Sequence, residues 1–327
     1  MKRVRVHLSV IAVAGLVAAG FVSLTVNSSR GQTSKTKDEP TVKPAVLITN
    51  TTNTTNTKPD STTNSAANTN PLPNKPASNP NLILTPAAEK NATLRNELLW
   101  TFGGKQQHGW YLYDLLIGKT LKTPDESNAN DFATALALWQ KQGSLSSSGV
   151  LDEDTLMSLI SLWQSNRLKD RTPATPDQLI TAPSSDFYDP ERLVELRQVE
   201  RNTYAAYKEM VAAAIADPSL KLAHQGEREL APTEQYFKII SAFRSREYQE
   251  ELRRKQPNAG SAGLAVNSPH FTGRALDIYV GGDPVDTRDS NRAIQVNSPA
   301  YQWLVRNAER FGFRPYFYEP WHWEYVK

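Results

Sequence analysis

Apolar side chains recur at helical spacing in the middle of the chain. Phe132, Leu136 and Trp139 lie three or four residues apart, which is the period of an amphipathic helix. A second run with the same period comprises Leu156, Leu159, Ile160 and Trp163. Asp152 precedes this second run and is a good N-cap, because its carboxylate can accept from free backbone N–H groups. We therefore predict a small all-α domain over residues 90–168.

A longer helix is predicted further along, beginning at Asp189 as N-cap with Pro190 in its first turn. Its apolar face comprises Leu193, Leu196, Val199, Tyr207, Met210 and Ala214. The residues before it, 169–188, are rich in Pro, Thr and Ser and are predicted to be a linker. A fragment beginning near Ser184 is therefore expected to remain active.

The C-terminal part mixes short strands with short helices. Strands are predicted at residues 236–243, 276–280 and 316–326. Helices are predicted at residues 246–254 and from Ser298 to Gly312. Because regular βαβ units are absent from this pattern, we predict an α+β fold over residues 189–327, with a mostly antiparallel sheet and helices on one face.

The N-terminus has the pattern of an export signal. Lys2, Arg3 and Arg5 precede residues 8–26, an uncharged and mostly apolar run of 19 residues. That length is enough to span a bilayer, so residues 1–29 are predicted to be either a cleaved signal peptide or an uncleaved signal anchor. The protein is expected to be periplasmic or otherwise extracytoplasmic, with membrane contact only through this segment.

Composition adds three predictions, which concern a linker, nucleic-acid binding and the residues that could hold a metal. Residues 30–85 are rich in Asn, Thr and Pro and have little to bury, which predicts a disordered linker. The chain has 37 basic residues; without the three near the N-terminus 34 remain, which equals its 34 acidic residues and gives no electrostatic basis for nucleic-acid binding. The chain has no cysteine, so any metal must be held by His, Asp or Glu.

Two C-terminal segments concentrate the ligands of a hydrolytic metal site. In the segment SPHFTGRALD, His270 and Asp277 offer an imidazole nitrogen and a carboxylate oxygen, which are good zinc donors. In the segment EPWHWE, His322 offers a third ligand. Three protein ligands leave one tetrahedral position for water, as in a catalytic zinc site, so we expect one Zn²⁺ per chain.

These segments resemble the signature of the VanY-like D-alanyl-D-alanine carboxypeptidases, S-x-H-x-x-G-x-A-x-D followed by E-x-W-H. The wider group includes D,D-dipeptidases and L,D-peptidases and shares its fold with the hedgehog signalling domain. Every fixed position is filled, namely by Ser268, His270, Gly273, Ala275, Asp277, Glu319, Trp321 and His322. Upstream, Phe243-Arg244-Ser245 with Gln249 is similar to the family's aromatic-Arg-Ser motif, although Arg246 stands where an aromatic residue is common.

The resemblance assigns a role to each matching residue. It implies that Glu319 is the general base and that Ser268 and Gln249 hold the substrate. Arg244 is implied to bind the developing oxyanion or a substrate carboxylate, and its alternative is an ordinary ion pair with an acidic residue. Glu324 competes with Glu319 for the base, because in a regular strand it would share the face of His322.

The helical region has a weaker resemblance, to the small peptidoglycan-binding domain. Trp139-Gln140, Gly149-Val150 and Thr155-Leu156 match that family, whereas Asp152 stands where Gly is usual. The alternative is a helical hairpin that buries its own aromatic side chains.

The ligand pattern predicts a zinc hydrolase, and the resemblance implies that it cuts the peptide stems of peptidoglycan near their D-Ala-D-Ala end. Three alternatives stay open at this point. The first is an L,D-carboxypeptidase or endopeptidase on the same scaffold, and the second is a non-catalytic wall-binding protein. The third is a glycosidase with paired carboxylates, which would leave the His-Asp-His set unexplained.

Overall fold

The computed structural model describes residues 85–124, 127–255 and 267–327. The predicted export signal lies outside these residues, as does the predicted linker up to residue 84. Within the described residues, no helix is both long and apolar enough to cross a membrane.

The first part of the described chain contains four helices and a short hairpin. The helices are α1 (Pro86–Glu97), α2 (Asp114–Leu121), α3 (Ala129–Gln142) and α4 (Glu153–Ser165). The hairpin pairs β1 (Leu99–Phe102) with β2 (Lys105–His108). It was not predicted from the sequence. Its turn is Gly103-Gly104, with both residues at positive φ, and a Gly-Gly pair between two short runs is a hairpin signal.

The residues that resemble a peptidoglycan-binding domain hold the turn between α3 and α4. The Gln140 amide donates to the Val150 carbonyl and to Thr155 Oγ1, both at 2.9 Å. Its carbonyl oxygen accepts from the Gly149 N–H at 2.8 Å. The side chain of Gln140 is fully buried, so the matching residues have a role within the fold itself.

The predicted α+β class is confirmed in the C-terminal part, where four antiparallel strands form one sheet. Their spatial order is β7 (Ile239–Ser241), β8 (Ala275–Ile278), β10 (Glu319–Tyr325) and β9 (Phe313–Tyr316). The strand predicted at residues 316–326 is confirmed as β10, and β9, which precedes it and pairs with it, was not predicted. Smaller pairs join β3 (Leu179–Thr181) to β4 (Gln198–Glu200) and β5 (His224–Gly226) to β6 (Glu229–Leu230).

The helices of this part are α5 (Arg201–Ile215), α6 (Arg246–Lys255), α7 (Asp289–Val296) and α8 (Pro299–Asn307). The predictions for α6 and α8 are confirmed, with Ser298 as the N-cap of α8. The predicted start of the long helix at Asp189 is wrong, because α5 begins at Arg201. Its N-cap is Glu200, whose carboxylate accepts from the Thr203 N–H at 2.7 Å.

Strand pairing explains the late start of α5. Val199 lies on β4 opposite Ile180 on β3, so its backbone bonds to a neighbouring strand instead of to a helical turn. Leu193, expected on the apolar face, is 66% exposed. The later positions of that face, Tyr207, Met210 and Ala214, are fully buried as predicted.

The helical part packs directly against the sheet part. Phe317, in the turn between β9 and β10, contacts the rings of Phe102, Tyr113 and Trp163 at centroid distances of 4.8, 5.5 and 6.0 Å. The buried Arg292 of α7 donates to the Tyr113 hydroxyl at 3.1 Å. The described residues therefore belong to a single compact unit.

Candidate metal centre

The hydrogen-bond register of the sheet brings Asp277 and His322 together. Asp277 lies on the central strand β8, directly opposite His322 on β10. Side chains of opposed residues on antiparallel strands stand on the same face of the sheet, about 5 Å apart at Cβ. Two of the three predicted ligands, 45 residues apart in the chain, are thus placed side by side by strand pairing.

His270 reaches the same point from a single 3-10 turn, Pro269–Thr272. Ser268 caps this turn through its Oγ, which accepts from the His270 N–H at 3.3 Å. Gly273 ends the turn in the left-handed region, with φ 67°. A Cβ there would lie 2.9 Å from the Glu200 nitrogen, so the position requires glycine. The turn that this glycine ends sets the spacing between His270 and Asp277.

The three side chains form a buried group that could hold a metal ion. His270, Asp277 and His322 are 3%, 1% and 3% exposed, and their ligand atoms lie within 4.8 Å of one another. His270 Nε2 is 3.3 Å from Asp277 Oδ2, and His322 Nδ1 is 2.9 Å from Asp277 Oδ1. All three donors converge on one point, which is the arrangement a small cation needs.

Neighbouring acceptors fix which nitrogen of each imidazole faces that point. His270 Nδ1 lies 2.6 Å from the Ala242 carbonyl oxygen, to which it must donate, and this leaves Nε2 as the ligand atom. His322 Nε2 lies 3.2 Å from Glu324 Oε1, which leaves Nδ1 as the ligand atom. Metal-binding histidines are characteristically oriented by such bonds on their second nitrogen.

The electrostatics suit a cation between these groups. Burial and the Arg244 charge lower the pKa of His270 to about 4, so its Nε2 lone pair is free at neutral pH. Burial opposes ionisation of Asp277, but His270 and His322 outweigh it and hold its pKa well below the ordinary range. Burial would lower the pKa of His322, but its hydrogen bonds to Asp277 and Glu324 raise it to about 9. A metal cation would take the place of the proton on Nδ1.

Glu319 has the features of a general base beside the metal ligands. Burial raises its pKa to about 7; the charge of His322 acts to lower the pKa and that of Asp277 to raise it. Its Oε1 is buried and has no hydrogen-bond partner among the described residues. The register of β10 shifts between Glu319 and Trp323, which breaks the alternation that would place Glu319 and His322 on opposite faces.

Glu324, the competing candidate for the base, is fully engaged. Its carboxylate accepts from Arg167, Arg171 and the Leu168 N–H in addition to His322. Burial disfavours its charge, but His322 and Arg167 lower its pKa far below the usual value. A base must have a free lone pair and a pKa near the working pH, so this geometry favours Glu319.

Of the remaining predicted residues, Arg244 and Ser268 contact candidate ligands, and Gln249 contacts Arg244. Arg244 is 5% exposed and donates to Asp277 Oδ2, Gln249 Oε1 and Ser241 Oγ, each at 3.3 Å. Gln249 and Ser268 are buried, and the contacts described for them are internal. Substrate binding by these two residues stays a prediction.

Arg167 and Arg171, which bind Glu324, were not predicted from the sequence. They lie just beyond α4, more than 150 residues before Glu324, and no local motif surrounds them. The one available signal was Glu324 itself, since an acidic residue facing a histidine ligand in a buried strand needs positive partners.

The C-terminal part of the chain is similar to a known protein family. Residues 197–327 match the family model described as VanY: D-alanyl-D-alanine carboxypeptidase. The solved structure of the LdcB LD-carboxypeptidase is 21% identical, covering 48% of this chain and 71% of that chain, with a TM-score of 0.34. No curated protein matches the chain. Residues 197–327, which contain all the predicted metal ligands, therefore form a domain of the VanY D-alanyl-D-alanine carboxypeptidase family.

Proposed function

We propose that this protein is a zinc-dependent carboxypeptidase that removes the terminal D-alanine from peptidoglycan peptide stems. The observation that carries the proposal is the buried His270-Asp277-His322 group together with the buried Glu319, whose Oε1 has no hydrogen-bond partner among the described residues. A structural zinc site has no need of such a carboxylate, so a purely wall-binding role would leave Glu319 unexplained.

The donor set fits zinc. Two imidazole nitrogens and one carboxylate oxygen suit this ion, and three protein ligands leave one position open. Zinc bound there would supply Lewis-acid activation of water and of the scissile carbonyl. Ala242 and Glu324 orient the ligand nitrogens of His270 and His322, because each binds the other nitrogen of its imidazole ring.

The protein's own residues provide the proton transfers and the charge stabilisation. Glu319, with a pKa of about 7, can accept a proton from the attacking water and return it to the departing amine. Arg244 is permanently charged and almost completely buried, so its guanidinium can stabilise negative charge on the substrate. Its hydrogen bonds to Gln249 and Asp277 hold it at the ligands.

The predicted export signal at residues 1–29 supports the same function, because peptidoglycan lies outside the cytoplasmic membrane. We propose an extracytoplasmic location for the folded part, tethered to the membrane if that segment remains uncleaved.

Mass analysis of muropeptides tests the proposal. Purified protein with zinc should convert pentapeptide stems ending in D-Ala-D-Ala into tetrapeptides, and the His322→Ala variant should not. Conversion of tetrapeptides into tripeptides instead would identify an L,D-carboxypeptidase, and cleavage of crosslinks would identify an endopeptidase. An unchanged muropeptide profile would contradict the proposed function.

A further inference from the structure

Glu324 is bound by a segment that lies outside the family domain. It is fully buried, and Arg167 Nη2 donates to its Oε1 at 2.5 Å. The Leu168 N–H donates to its Oε2 at 2.9 Å, and Arg171 Nη1 donates to Oε1 at 3.4 Å. Residues 167–171 thus surround one carboxylate with two guanidinium groups and a backbone donor.

Arg167 is itself fixed in place. Its Nη1 donates to Gln164 Oε1 at 2.9 Å, at the end of α4. Its guanidinium carbon lies 3.9 Å from the centroid of the Tyr316 ring, within the range of a cation–π contact. The Tyr316 ring in turn meets the His322 ring edge to face, with centroids 5.9 Å apart. Arg167 therefore contacts two groups that both touch His322.

The carboxylate of Glu324 determines how the His322 ring is turned. His322 presents Nδ1 to Asp277 because its Nε2 is held by Glu324. A buried carboxylate without positive partners would be costly and would reorient. Since Arg167 provides the shortest of the contacts made to Glu324 by residues 167–171, the ring orientation depends on a residue of the helical part.

We propose that Arg167 is a positioning residue of the metal centre, acting through Glu324 on His322. The last residues of the helical part of the chain are then a component of the metal site. This inference rests on the proposed function, because it assumes that His322 is a metal ligand.

Zinc affinity of the full chain, measured by competition with a chromogenic chelator, tests the inference. Loss of an outer partner of a metal-binding histidine typically costs about 10–100-fold in affinity. We expect Glu324→Gln to fall in that range and Arg167→Met to lose about tenfold. The double variant should bind zinc no more weakly than Glu324→Gln alone, since Arg167 acts through Glu324.

Two further variants provide the controls. Arg228→Met removes an exposed ion pair with Glu209 and should leave zinc affinity unchanged. Arg167→Lys keeps the positive charge but loses the planar guanidinium group. Its loss of zinc affinity should therefore be smaller than that of Arg167→Met. If Arg167→Met does not fold, as judged by circular dichroism, Arg167→Lys must still bind zinc more weakly than the native chain.

The outcomes separate this inference from the proposed function. If the native chain binds zinc and both Arg167 variants bind it equally well, the inference alone is overturned. Additive losses in the double variant would also overturn it, because they would show that Arg167 acts independently of Glu324. A native chain that binds no zinc would overturn the proposed function and this inference with it.

Discussion

Asp277 and His322 lie opposite each other on neighbouring antiparallel strands, with His322 Nδ1 2.9 Å from Asp277 Oδ1. Strand pairing therefore fixes the separation of two ligands, and the 3-10 turn before β8 brings His270 to them as the third. The resulting group is almost completely buried, so a cation bound there would be shielded from solvent.

The first prediction concerns the ligands themselves. Substituting His270, Asp277 or His322 by Ala should release zinc, because each change leaves two protein ligands where a catalytic site requires three. Elemental analysis of the purified variants checks this against one zinc per native chain. Full zinc occupancy in all three variants would contradict the coordination.

The second prediction concerns Arg244. Arg244→Lys should lower kcat although it preserves the charge. A Lys ammonium cannot reach Ser241, Gln249 and Asp277 at once, as the guanidinium does, and cannot bind a carboxylate in two parallel bonds. Steady-state kinetics on a pentapeptide, with zinc content measured in parallel, provides the test. Unchanged kinetics would reduce Arg244 to an ion-pair partner of Asp277.

The third prediction revises the expectation for a fragment beginning near Ser184. Such a fragment lacks Arg167 and the aromatic partners of Phe317, and it loses β3 from its pair with β4. We expect it to unfold at a lower temperature and to bind zinc more weakly than a fragment beginning at Thr85. Differential scanning calorimetry of both fragments compares them directly, and equal melting temperatures would show that the sheet part folds alone.

The group of His270, Asp277 and His322 could be predicted from sequence because its three candidate ligands lie in two short motifs, and the structure brings them together. The α+β class could be predicted because short strands and short helices alternate in the C-terminal part without regular βαβ units. The start of α5 was missed because Val199 fits a helical face and a strand equally well, and its partner Ile180 decides between them. The contact between Glu324 and Arg167 could not be predicted, since the two residues are distant in the chain and close only in the folded structure.

The most direct test of the account compares Glu319→Gln with Glu324→Gln at saturating zinc, on a pentapeptide ending in D-Ala-D-Ala. Glu319→Gln keeps the shape of the side chain but cannot accept a proton. Its kcat should therefore fall by ~10²–10⁴-fold or more, while zinc stays bound. Glu324→Gln should keep most of its kcat once zinc is saturating, because Glu324 positions His322 and transfers no proton. A metal-loaded, inactive Glu324→Gln variant beside an active Glu319→Gln variant would contradict the account.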